Sequence, residues 1–220
     1  MNRQKHFRFI GYLLFSVLIF GCRLDPPLYP ASVSVNADSY QPIIPRAKWV
    51  YEEEFQSTVA TRTVEASTKS IPLNGRSYYA FNSVRDDEPP QTEYFAKSQE
   101  MYLYRALQPG LPDYVDFYYL KENAEDNETW TYPVNETGLM SGRPAQTVTQ
   151  QIARLPTYDV YGITYTDVVK TRVSLEQQGT EGWEVVATYE FFVSRRVGII
   201  QLVTNYLGYV KLSRLKSYEP

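Results

Sequence analysis

The chain has 220 residues, with 22 Lys and Arg against 25 Asp and Glu, and a formal net charge of −3. Its one histidine, His6, and its one cysteine, Cys22, both lie near the N-terminus, so residues 23–220 contain neither. That excludes Ser-His-Asp and Cys-His nucleophilic catalysis from this stretch, along with zinc, copper and haem sites built on imidazole or thiolate. What remains is carboxylate, Tyr, Lys, Arg and Ser/Thr chemistry. No patch rich in Lys and Arg stands out, so nucleic acid is not an expected partner.

Residues 1–21 have the three parts of a secretory signal. Arg3, Lys5 and Arg8 make a positive start, Phe9 to Phe20 is an apolar run, and Gly21 is the small residue at the cut. The run is much shorter than the roughly 20 residues needed to cross a bilayer, so it reads as a removed signal. Removing those three basic residues leaves 19 positive groups against 25 negative, a net charge of −6. Such a chain has no general attraction to an anionic membrane.

Ile19-Phe20-Gly21-Cys22 resembles the lipobox of bacterial lipoproteins, with an aliphatic residue at −3 and glycine at −1. The resemblance implies that Cys22 becomes the first residue of the mature chain, with diacylglycerol on its sulfur and an acyl chain on its amino group. One acyl chain binds membranes marginally, at about 0.8 kcal/mol per buried CH₂, whereas two or three hold stably. The alternative is an uncleaved signal anchor that happens to end in cysteine. The expected address is a membrane-anchored lipoprotein of the outer membrane, on its periplasmic or surface face. No cofactor is expected beyond this covalent lipid.

Residues 22–45 read as a lipid-anchored tether. Pro26, Pro27, Pro30, Pro42 and Pro45 are spaced by Ser and Asn, and an extended proline-rich segment of this length reaches about 70 Å. Residues 46–220 read as one β domain. Trp49, Tyr51, Glu53 and Phe55 share one face; Val169, Thr171, Val173 and Leu175 share another; Trp183, Val185, Ala187, Tyr189, Phe191 and Val193 share a third. This period of two is the strand signature. Asn74-Gly75 is a strong hairpin signal. Strands are predicted near 47–56, 58–68, 76–85, 91–97, 100–106, 114–120, 128–134, 146–154, 164–177, 183–193, 198–205 and 209–216. A short helix over Gln146 to Leu155 is the one alternative. The fold class is all-β: an antiparallel meander of about 10–12 strands forming a curved sheet, half-barrel or barrel, because so many strands must curl or close to limit exposed edges.

Lys48-Trp49-Val50-Tyr51, then Glu128-Thr129-Trp130-Thr131-Tyr132, then Thr164 to Lys170, and finally Tyr189 to Ile200 follow in an order that resembles a broad group of uncharacterised bacterial lipoproteins. That group has an early W-x-Y, a central W-x-Y and a late aromatic hairpin ending in V-G-[LI]. Its resemblance implies a half-barrel or curved-sheet domain and brings no activity with it.

Tyrosine is the compositional oddity, with 20 in the chain. The functional reading is a stacking surface for sugars or a cavity lining with polar tips; the plain reading is cross-strand packing. The residues chosen as a cavity lining are Trp49, Tyr51, Trp130, Tyr132 and Trp183. Glu53 shares the face of Trp49 and Tyr51, so burial there would require an Arg or Lys partner. The acidic run Glu122 to Glu128 has oxygen ligands for calcium but lacks the spacing of an EF-hand loop, and no metal site is expected. Arg195-Arg196, before Gly198, reads either as a solvated turn or as a contact for an anionic head group or carboxylate.

Three functions fit. The first is a non-enzymatic ligand-binding or assembly lipoprotein, its partner an apolar or glycan ligand or an envelope protein. The second is a carboxylate-dependent glycan hydrolase, which needs two carboxyl groups facing one cleft about 5–9 Å apart. The third is a structural subunit of an envelope complex, which needs an exposed apolar patch or an open strand edge.

Overall fold

The computed structural model describes residues 37–73, 75–107 and 113–220. Cys22, the signal and most of the tether lie outside them. Among the described residues there are thirteen strands: β1 (Lys48–Phe55), β2 (Thr58–Leu73), β3 (Arg76–Arg85), β4 (Gln91–Ser98), β5 (Met101–Leu107), β6 (Tyr114–Lys121), β7 (Thr129–Pro133), β8 (Leu139–Met140), β9 (Arg143–Val160), β10 (Ile163–Gln178), β11 (Trp183–Ser194), β12 (Gly198–Tyr206) and β13 (Tyr209–Glu219). They form one antiparallel sheet in the order β6-β5-β4-β3-β2-β1-β13-β12-β11-β10-β9-β7, with β8 paired to β9. The sheet is a meander in two halves, joined where β1 pairs with β13 from Lys48–Glu219 to Phe55–Lys211.

The sheet curls until its two ends meet, giving a nearly closed barrel. Among the described residues the strand ladder does not cross this seam. Asp116 N–H donates to the Val134 carbonyl at 2.7 Å. Side chains supply other bonds: Trp130 Nε1 and Thr149 Oγ1 donate to the Tyr118 carbonyl at 2.6 and 3.0 Å, and Thr171 Oγ1 donates to the Tyr119 carbonyl at 2.6 Å. These carbonyls would otherwise be buried without partners, at a cost of about 1–3 kcal/mol each.

The seam also accounts for a correction. Gln146 to Leu155 belongs to strand β9 and contains no helix. Its buried positions are Thr147, Thr149 and Gln151. Thr149 and Gln151 are polar because they donate across the seam, Gln151 Nε2 reaching the Ala124 carbonyl at 2.7 Å, and Thr147 donates to the Tyr132 carbonyl on the neighbouring β7. Apolar alternation, the usual strand signal, is therefore missing where the strand has a joining task.

Inside, the barrel is packed with aromatic rings. Trp49 meets Phe81 and Tyr218 at ring-centroid distances of 5.6 and 5.0 Å. Phe81, Phe95, Tyr104 and Phe117 then follow one another strand by strand at 4.7, 4.9 and 5.8 Å. Cross-strand packing thus accounts for many of the tyrosines.

One end of the barrel is sealed by the segment leading into β1. Residues 38–45, read as tether, pack there instead: Ser39, Tyr40 and Gln41 are buried. Tyr40 OH donates to Asp167 at 2.7 Å, and the Arg195 guanidinium lies over its ring at 4.5 Å. Arg196 N–H donates to the Ser39 carbonyl, and its side chain pairs with Asp38. Arg196 therefore meets a carboxylate on the plug, while Arg195 covers the plug's Tyr40 ring and pairs with Asp167 and Glu122. Gly198 has a φ of +100°, a conformation that L side chains rarely adopt, and a Cβ there would also push on the Gln41 amide at 2.9 Å.

Candidate functional site

Opposite the plug the described strands leave the barrel open. The inward faces of β1, β2, β3, β4 and β13 end there in charged residues, and they border a cavity of about 470 Å³. That is within the usual range of small-molecule sites, about 300–1,000 Å³. The opposite wall comes from β5, β6, β11 and β12, with Tyr104, Ala106, Phe117, Tyr189 and Leu202.

Glu53 is the centre of the charged wall. It is 1% exposed and continues the buried face of Trp49 and Tyr51. Arg62 Nε lies 2.8 Å from one carboxylate oxygen; Lys211 Nζ and Arg85 Nε lie 2.8 and 3.1 Å from the other. These are the partners that burial of Glu53 requires. Arg62 also donates to Glu93 at 2.6 Å, and Arg85 pairs with Asp87 and Glu88 at the rim. Burial pushes the Glu53 carboxyl upward, but Arg62, Lys211 and Arg85 together outweigh it and hold the group below the ordinary glutamate value. Burial likewise pulls Arg62 down, and Glu93 and Glu53 more than reverse it. Tyr104, buried beside Glu93, is pushed well above the ordinary tyrosine value by desolvation first and then by that carboxylate.

The sequence-chosen aromatic residues do not share this cavity. Trp49 and Tyr51 lie inside the barrel, one step deeper, around a water-sized cleft of about 20 Å³ that also touches Arg62 and Glu93. Trp49 Nε1 and Tyr51 OH donate to the carbonyls of Val197 and Ile199 at 2.6 and 2.8 Å. Trp130 and Tyr132 pack with Tyr118 on the outside of the seam, where the Tyr118 and Tyr132 rings stack at 3.9 Å. Trp183 is 46% exposed at the tip of β11. The charged residues that do line the cavity, Arg62, Arg85, Glu93 and Lys211, were missed by the sequence reading. Their signal was a charge falling on the inward phase of a strand: Arg62 sits two residues from both Ala60 and Val64, which are buried.

The arrangement bears on acid–base chemistry. Glu53 and Glu93 both face the cavity, but both bond to the same guanidinium. Glu53 is held ionised, whereas a glycosidase acid must carry a proton. Asp116 has its carboxyl raised to about 7, by burial above all, but it faces outward from β6 toward Arg105, away from the cavity. The acidic run near residue 122 is occupied by ion pairs: Glu122 with Lys97 and Arg195, and Glu128 with Lys121.

No protein-family model matches the chain, and no curated protein matches it. Two solved structures are similar to it. A proposed lipoprotein from Parabacteroides distasonis aligns with a TM-score of 0.53 at 9% identity, covering 84% of this chain and 100% of that one. A proposed exported protein with a YmcC-like fold from Bacteroides fragilis aligns with a TM-score of 0.51 at 8% identity, covering 83% and 100%. At these identities the likeness is one of fold: the chain shares the architecture of these two bacterial proteins.

Proposed function

We propose that this protein is a bacterial envelope lipoprotein, held in the outer membrane by lipid on Cys22, whose barrel binds a ligand without chemically changing it. The observation that carries the binding role is the cavity of about 470 Å³ at the unplugged end, bounded by a charged wall on one side and an apolar wall on the other. A barrel packed solid would have no such role. The lipobox-like Ile19-Phe20-Gly21-Cys22 supports the anchor, and the fold likeness to a proposed lipoprotein and a proposed exported protein supports the envelope address. The carboxylates of the cavity are tied into ion pairs, which favours holding a ligand over hydrolysing one.

The anchor is tested by expressing the full chain and its Cys22→Ser variant in a Gram-negative host with radiolabelled palmitate. The expected outcome is label on the natural chain and none on the variant. Label that persists on the variant, or never appears on the natural chain, defeats the lipoprotein reading.

A further inference from the structure

Among the described residues, the lining of the cavity is formally neutral. Arg62, Arg85 and Lys211 are balanced by Glu53, Glu88 and Glu93. All six make ion pairs with one another, so an ionic ligand would have to separate an existing pair and leave an uncompensated charge. A ligand bearing hydroxyls incurs no such cost. It can donate to the carboxylates and accept from Lys211, which is one-third exposed, without altering the charge balance. Ser213 Oγ lines the same space, is buried, and has no hydrogen-bond partner among the described residues. An apolar chain would leave that hydroxyl unsatisfied, whereas a hydroxyl-bearing ligand would satisfy it.

A second feature continues outward from the cavity. Phe55 prolongs the inward face of β1 two residues past Glu53. Tyr209 prolongs β13 two residues before Lys211, and Tyr206 prolongs β12 two residues past Thr204. The register pairs Phe55 with Lys211 and Tyr206 with Tyr209, so the three residues share one face at the mouth. All three are substantially exposed, and the Phe55 and Tyr209 rings lie 6.4 Å apart at 51°. Exposed aromatic faces at the entrance to a neutral, hydrogen-bonding hollow match a ligand with C–H faces and hydroxyl edges.

Resting on the binding role proposed above, we infer that the ligand is an uncharged saccharide, one ring stacked on the Phe55, Tyr206 and Tyr209 platform and the next hydrogen-bonded among Glu53, Lys211 and Ser213. The test uses the lipidated full chain in nanodiscs, titrated calorimetrically with maltose, cellobiose and N,N′-diacetylchitobiose, and separately with octanoate. Empty nanodiscs serve as the blank. The expected result is heat of binding from at least one disaccharide, unchanged between low and high salt because the ligand carries no charge. Binding should weaken about tenfold in the Phe55→Ala/Tyr209→Ala double variant, whose altered residues are exposed and whose melting temperature should be unchanged. A Thr204→Trp variant, which fills the cavity beside the platform, should abolish binding. Binding of octanoate but of no disaccharide overturns the saccharide assignment and leaves the binding role standing. No heat from any of the four overturns both, and disaccharide binding untouched by either variant overturns the placement at this mouth.

Discussion

Glu53 is a carboxylate in the interior of a β-barrel, and it is tolerated because three cations reach it from three other strands. Arg62 and Arg85 sit directly opposite one another on β2 and β3, a like-charged pair that would by itself be unfavourable. Glu53 touches both and so neutralises the clash. Removing one member of such a network exposes the others: Glu53→Gln should cost about 3–5 kcal/mol of stability at neutral pH, because three buried or half-buried cations lose their common partner. The pH dependence follows from the direction of the shift. The folded-state pKa of Glu53 lies below its unfolded value, so its contribution is complete above the ordinary glutamate range and is lost as pH falls through the folded value. Melting temperatures of natural chain and variant should therefore be far apart at pH 7 and converge in acid. A gap that stays constant down to acid denaturation would mean that the carboxylate charge is not what stabilises this wall.

At the scale of elements, the plug over residues 38–47 and the long β9–β10 hairpin depend on each other. Asp167 lies in this hairpin at a positive φ of 49°, where the paired strands bend, and it accepts from Tyr40 at 2.7 Å and from Arg195 at 2.6 Å. Beyond the bend the hairpin crosses the outer face of the barrel. Tyr158 stacks on Phe192 at 4.6 Å, and Tyr161 donates to Glu52 on β1 at 2.5 Å. Tyr40 is thus a fully buried ring that joins the plug to the bend. Tyr40→Ala should lower stability by about 3–5 kcal/mol, the usual cost of deleting a buried aromatic ring. Tyr40→Phe keeps the ring, loses the bond to Asp167 and the longer one from Arg154 at 3.4 Å, and should cost about 1 kcal/mol. Thermal or urea unfolding checks both, and equal losses in the two variants would show that the hydrogen bond, not the ring, holds the plug.

At the scale of the molecule, closure depends on the chain's two ends. β1 and β13 lie side by side in the middle of the sheet order, so the first and last strands of the domain hold its two halves together. A chain stopped at Gly208 loses β13 and leaves β1 and β12 with open inner edges and no path for the ladder between the halves. It should fail to fold, giving no cooperative thermal transition by circular dichroism. A cooperative transition in that truncated chain would mean that each half is stable alone. The same closure places the candidate site: its charged wall draws on β1, β2, β3, β4 and β13, while its apolar wall draws on β5, β6, β11 and β12.

Most strands were legible because they run through a two-residue period bounded by turn chemistry, and both are local; β8, two residues long, has no period to read. The runs at 76–85, 114–121 and 183–194 agree with the sequence reading to within a residue. Glu53 was legible as a problem, since its neighbours in phase, Trp49 and Tyr51, called for burial. The lipobox-like motif at Cys22 belongs to the sequence alone. The solution to Glu53 was not legible: Arg62, Arg85 and Lys211 lie on strands that meet β1 only through the sheet's register and closure, and an exposed arginine has the same local pattern as an inward one. Nor could the sequence separate five aromatic residues into two inside the barrel, two on the seam and one in solvent. Local pattern assigns a residue to a face of its own strand. Which faces enclose a common space is decided by curvature and pairing between strands far apart in the chain.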